Sequence, residues 1–152
     1  LSGTLRARQQ ARLAGFGDTV RWVDALPEAI QGVVVGNEVL DAMPVKLLHW
    51  TGSEWLERGV SVSPDSQGDT PDFVWADRAA APGTRPPCEE ADHQFAPGTV
   101  TETHEPAHAF ITTLAQRMGK GAAFFMDYGF PESEFYLPQR SGGTLIGSTP
   151  RR

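Results

Sequence analysis

Residues 33–44 read Val33-Val34-Val35-Gly36-Asn37-Glu38-Val39-Leu40-Asp41-Ala42-Met43-Pro44, and this stretch decides the fold class. Three β-branched residues in a row, without polar alternation, suit a strand buried on both faces of a parallel sheet. Gly36 ends that strand, helical spacing follows in Val39, Leu40 and Met43, and Pro44 stops the helix. Upstream, residues 1–14 read as helix, with Leu5, Arg8, Gln9, Arg12 and Leu13 at helical spacing, Ser2 as N-cap, and Gly15 and Gly17 closing the segment. Val20-Arg21-Trp22-Val23 alternates like a short strand and runs into Asp24. Helix, strand, loop, strand, helix is the order of an α/β protein.

The middle of the chain changes character. Residues 45–50, 54–63 and 73–76 read as strands, with Thr51-Gly52-Ser53 as a hairpin turn. Residues 79–90 hold Pro82, Pro86 and Pro87 and read as an exposed linker. The α/β pattern then resumes. Residues 106–118 place Phe110, Ile111, Leu114 and Met118 at helical spacing, Gly119-Lys120-Gly121 reads as the stop, and residues 122–126 form a second buried-type strand. Residues 138–152 read as loop. The expected organisation is therefore a first part of an α/β core at 1–44, an antiparallel insertion at 45–101, and a return to the core with a C-terminal loop at 102–152.

Composition narrows the function classes. The chain has 152 residues, 39% of them hydrophobic and 21% charged, which is a globular balance. Its 13 Lys+Arg against 19 Asp+Glu give a formal charge of −6, which argues against nucleic acid as a partner. The single cysteine, Cys88, cannot form an internal disulfide. No apolar run approaches the roughly 20 residues of a membrane span, and no signal peptide is evident. The sequence opens at Leu1, not at Met, as an internal piece of a longer protein would.

In an open parallel sheet, ligands bind beyond the carboxyl ends of the strands. Polar groups stand at three such ends: Asp24, the pair Asn37 and Glu38, and the pair Asp127 and Tyr128. If Asn37 opens a helix, Glu38 and Asp41 share one face of it, and two neighbouring carboxylates are tolerated best beside a cation. They also suit a helix N-terminus, with Asn37 as its cap. His104-Glu105-Pro106-Ala107-His108 matches the HExxH zinc-peptidase pattern, but Pro106 interrupts the helix that would put both histidines on one face. His104 to Pro106 reads better as the start of a helix, and His49 and His93 as strand or loop residues. The GxSxG nucleophile pattern is absent. Ser141-Gly142-Gly143-Thr144 lacks the Lys-Ser/Thr ending of a phosphate loop.

Four blocks carry a family resemblance. Residues 1–9 (Leu1-Ser2-Gly3-Thr4-Leu5-Arg6-Ala7-Arg8-Gln9), 36–45 (Gly36-Asn37-Glu38-Val39-Leu40-Asp41-Ala42-Met43-Pro44-Val45), 125–130 (Phe125-Met126-Asp127-Tyr128-Gly129-Phe130) and 138–145 (Pro138-Gln139-Arg140-Ser141-Gly142-Gly143-Thr144-Leu145) resemble the MidA family. These are class I S-adenosylmethionine (SAM)-dependent methyltransferases, relatives of the mitochondrial arginine methyltransferase that assists complex I assembly. The resemblance implies a partial Rossmann-like class I core, SAM as cofactor, and methyl transfer to a protein substrate, an arginine side chain. By analogy that protein is a respiratory complex subunit, and the compartment is the bacterial cytoplasm.

The family's N-terminal Gly-rich SAM loop has no counterpart here, so the expectation is a fragment that lacks about half the cofactor pocket and is inactive alone. Carried over by position, Asp24, Ala25, Leu26 and Asn37 bind cofactor, Glu38 and Asp41 are catalytic, and Asp127 and Tyr128 bind substrate. No metal is implied. Two other readings stand beside this one: a non-enzymatic assembly or binding module with a vestigial site, and the zinc peptidase.

Overall fold

A computed structural model describes residues 2–67, 71–88 and 95–145. In chain order the elements are α1 (Gly3–Leu13), β1 (Ile30–Asn37), β2 (Lys46–Trp50), β3 (Trp55–Val62), β4 (Phe73–Ala79), β5 (Val100–Thr103), α2 (Glu105–Arg117), β6 (Met118–Met126) and α3 (Glu132–Phe135). They make a mixed α/β fold. β1 and β6 pair in parallel, while β4-β3-β2-β5 form a four-stranded antiparallel sheet.

The parallel pair is built from the two apolar runs that the sequence marks. Its register aligns Val33 with Ala122, Val35 with Phe124 and Asn37 with Met126. At Gly32 and Gly121 the backbones come so close that a Cβ on Gly121 would fall 1.8 Å from the Gly32 carbonyl oxygen. Gly121 also has φ 152°, which side-chain-bearing residues rarely adopt. Gly119, Lys120 and Gly121 therefore belong to the strand, not to a helix stop, and β6 starts directly at Met118.

Helix α2 covers one face of this pair. Phe110 meets Phe125 edge to face at 6.0 Å, and Gly36 leaves the space that the Phe125 ring fills, since a Cβ there would lie 2.7 Å from it. The other face is open. Val33, Val35, Phe124 and Met126 are 69, 65, 58 and 54% exposed, so the expectation of strands buried on both faces does not hold. The accessible surface is 12106 Å², against about 7,500 Å² for a compact monomer of this mass. Buried apolar side chains among the described residues are Leu48, Ala107 and Leu114.

Two other expectations are corrected. Residues 20–23 form no strand; Val20 has extended dihedrals, but no described strand pairs with the segment. A strand without a partner has no ladder to satisfy its backbone. Residues 39–43 form no helix; they make a turn closed by the Met43 N–H donating to the Leu40 carbonyl at 3.1 Å.

The antiparallel sheet follows the sequence pattern more closely. Its β2–β3 turn is tied by Thr51, whose hydroxyl accepts from the amides of Ser53 and Glu54 at 3.3 and 3.1 Å, with Gly52 at φ 103°. Two elements, β5 and α3, have no counterpart in the sequence reading. Residues 89–94 and 146–152, with His93 and the end of the C-terminal loop, lie outside the described residues.

Replacing Gly121 by Ala should cost at least about 2 kcal/mol, because the new Cβ must separate β1 from β6. A urea titration of the full-length protein checks this, with Gly129→Ala, a site with open space around it, as the neutral control.

Candidate functional site

Because β1 and β6 run parallel, their carboxyl ends lie side by side, and the register puts Asn37 next to Met126. The pairing continues one step beyond the strands: the Glu38 N–H donates to the Met126 carbonyl at 2.9 Å. Glu38 itself has φ 50°, a left-handed conformation that costs a glutamate about 1 kcal/mol or more. The amides of Leu40 and Asp41 then donate to Asp127 Oδ1 at 3.2 and 3.3 Å. Asp127 Oδ2 is buried and has no partner among the described residues. Asn37, Glu38, Asp41 and Asp127 are thus gathered at one edge of the molecule, and Tyr128 beside them is 84% exposed. Glu38 and Asp41 sit on a loop, so the shared helical face expected for them is not formed.

The other sequence candidates lie apart. Asp24 pairs with Arg6 of α1, whose second Nη nitrogen donates to the Trp22 carbonyl at 3.4 Å. Arg117, the last residue of α2, donates to the carbonyls of Leu26 and Pro27. This contact ties Leu26 toward the amino ends of β1 and β6, roughly 25 Å of strand away from Asn37. Ala25 is exposed between these two anchors.

The segment leading into α2 also reaches the carboxyl end of the parallel pair, because α2 must run back to start β6. His104 has non-helical dihedrals (φ −123°, ψ 54°) and stands outside the helix, with Pro106 in the first turn. The HExxH geometry, two histidines on one helical face, is therefore not made, and His108 is exposed. His104 Nε2 and Thr103 Oγ1 are buried without partners among the described residues.

Glu102 was not a sequence candidate. It is only 9% exposed, and its Oε1 accepts from the amides of Thr144 and Leu145 at 2.5 and 2.9 Å. A Cβ on Gly143 (φ 76°) would come within 2.5 Å of that oxygen. The Gly-Gly turn is thus an anion cradle, and a carboxylate of the chain itself fills it. Val100 adds a bond to the same loop, donating to the Ser141 carbonyl at 2.8 Å. Beside this loop a small cavity of about 20 Å³ is walled by Phe95, Phe135, Tyr136, Thr101 and Arg140. Burial pushes the Tyr136 hydroxyl and the neighbouring, half-buried Cys88 thiol up.

On the outer half of the antiparallel sheet, Arg58 grips Asp77 in bidentate fashion, Nε to Oδ1 at 2.7 Å and Nη2 to Oδ2 at 2.8 Å. His49 Nδ1 lies 2.7 Å from Asp77 Oδ2. The Arg58 hydrogen bonds, with His49 adding to them, hold the Asp77 carboxyl down at about 2.

The profile of the family described as "Putative S-adenosyl-L-methionine-dependent methyltransferase" matches residues 1–152. The chain belongs to this family. A crystal structure of a COG1565 superfamily member from Burkholderia thailandensis, described as a "likely methyl transferase" and bound to S-adenosyl-homocysteine, is 50% identical with a TM-score of 0.75. That match covers 95% of this chain and 37% of that one. A native crystal structure of an uncharacterised superfamily protein from the same organism is 49% identical at TM-score 0.75, covering 95% of this chain and 38% of its own. The chain spans less than two-fifths of the length of these solved relatives. No curated protein is significantly similar to it. Among the described residues no helix is long and apolar enough to cross a membrane.

Glu102→Ala should destabilise the full-length protein by about 2 kcal/mol or more, since two amides lose their acceptor, whereas Glu102→Gln, which keeps an acceptor oxygen, should cost less than half as much. Thermal unfolding of the two variants checks this. Asp77 titrates lower in the folded state than its ordinary 3.8, so its contribution is present above about pH 4 and is lost as pH falls toward 2. Asp77→Asn should flatten the acid limb of a stability-against-pH curve over that window.

Proposed function

We propose that this chain forms part of the active site of a SAM-dependent methyltransferase of the bacterial cytoplasm whose acceptor is an arginine side chain of a protein. The observation that carries the reading is the 50% identity, over 95% of the chain, to a structure holding S-adenosyl-homocysteine. The residues fit such a cofactor at the carboxyl end of β1 and β6. The acceptor groups of Asn37, Glu38 and Asp41 converge there, at the kind of strand end where such sheets bind donor-bearing ligands. SAM, when bound, supplies a methyl group already activated on its sulfonium.

What remains for the protein is alignment of nucleophile, methyl and sulfur. Asn37 stands at the cofactor side of the strand end, while Arg117 holds Leu26, with Asp24 and Ala25 next to it in the chain, away from that end. Glu38 and Asp41 take the acceptor side. A guanidinium is cationic, with a pKa above about 12, and presents a planar fork of donors. Carboxylates can grip that fork, hold one nitrogen toward the methyl, and take the proton released on transfer. Tyr128 lines the far wall, while Asp127 stands behind the 38–41 loop whose amides it accepts from. Residues 45–101 form the recognition region, on which Val60, Val62, Phe73 and Trp75 project from one face of β3 and β4, 53 to 68% exposed. That same face favours a second reading, an assembly module in which binding is the whole function.

Calorimetric titration of SAM into this chain and into the full-length protein tests the first reading. Binding by the full-length protein is expected, and binding by neither would leave the assembly module. Within the full-length enzyme, Glu38→Gln should abolish methyl-arginine formation, read by mass spectrometry, with SAM affinity nearly unchanged. Equal losses of both would remove Glu38 from the acceptor side.

A further inference from the structure

Glu38 is the one non-glycine residue with positive φ among the described residues. A conformation of that kind persists where its surroundings over-determine it. Here the surroundings are three hydrogen bonds to β6's end: the Glu38 amide donates to the Met126 carbonyl, and the amides of Leu40 and Asp41 donate to Asp127 Oδ1. The loop has no helix or strand ladder of its own to supply these acceptors. Asp127 is 87 residues from Leu40 in sequence, so only the parallel pairing of β1 with β6 brings it there. One oxygen on two consecutive amides is the way a carboxylate caps a helix start, used here on a loop that is not helical.

The geometry points to Asp127 as a positioning residue: it acts through the 38–41 loop, setting where Asn37 and Glu38 stand, and does not itself touch an acceptor substrate. This deepens the methyl-transfer reading of the same site and rests on it. The role needs an acceptor oxygen in place, not a charge. An asparagine, which keeps one acceptor oxygen, should therefore serve, and an alanine should not.

The test uses the full-length protein saturated with SAM carrying a ¹³C-labelled methyl, as wild type, Asp127→Asn and Asp127→Ala. Three readouts are taken: the bound methyl resonance, hydrogen exchange at the amides of Leu40 and Asp41, and SAM affinity. In Asp127→Ala the methyl resonance should move and both amides should exchange at least about tenfold faster, while SAM affinity changes by less than about threefold. Asp127→Asn should match wild type in all three, which also guards against an alanine variant that fails to fold. An asparagine variant as damaged as the alanine one would overturn the proposal, because charge at Asp127 would then be what matters. So would an alanine variant with unchanged resonance and exchange. Wild-type protein that takes up no SAM would instead defeat the methyl-transfer reading, and the two exchange rates would still decide whether Asp127 holds the loop.

Discussion

The parallel register between β1 and β6 is the constraint on which the rest depends. It joins residues 30–37 to residues 118–126 across the whole antiparallel insertion. The pairing is possible because Gly121 leaves room for the Gly32 backbone, where a Cβ on Gly121 would force the two strands apart. Once the register is set, Asn37 faces Met126, and the groups just beyond both strands must meet. The candidate site is a consequence of strand pairing before it is a matter of side-chain chemistry.

Two carboxylates then do similar work at two loops. Asp127 accepts from the amides of Leu40 and Asp41, and Glu102 from those of Thr144 and Leu145. Each uses one oxygen for two consecutive amides, and each leaves the other oxygen buried and unpartnered among the described residues. A loop that forms no ladder needs acceptors for its amides, and an ionised carboxylate is a stronger acceptor than a carbonyl. This explains why Glu102 is buried in β5, and beside it the buried Thr99 hydroxyl donates to the Ala96 carbonyl. Among the described residues the buried apolar side chains sit in β2 and α2, so apolar packing holds one face of each sheet and hydrogen bonds hold the loops between them.

Some of this was legible in the residues. The period-2 patterns of β2, β3 and β4 and the Thr51-Gly52-Ser53 turn could be read directly, because antiparallel hairpins are local. Helix α2 showed in the spacing of Phe110, Leu114 and Met118. Residues 39–43 carried a helical spacing and still made a turn, because Glu38 takes a left-handed φ and Asp127 claims the amides a helix would have used. Residues 20–23 had strand character but found no described partner. Strand β5 and the role of Glu102 gave no local signal: both depend on contacts more than 40 residues away, such as that of Glu102 with Thr144 (42 residues).

By itself the sequence determined the α/β class, the antiparallel hairpins, the acidic charge, and the identity of the polar groups at the strand ends. These follow from side-chain periodicity and composition, which are properties of neighbours along the chain. Only the tertiary structure decided that Glu38 and Asp41 lie on a loop and not on a helix face, that Leu26 is drawn to the opposite end by Arg117, and that Asp127 supports the 38–41 loop. The reason is physical. A backbone amide bonds to whichever acceptor the fold brings within about 3 Å, and for these loops that acceptor comes from the far side of the insertion.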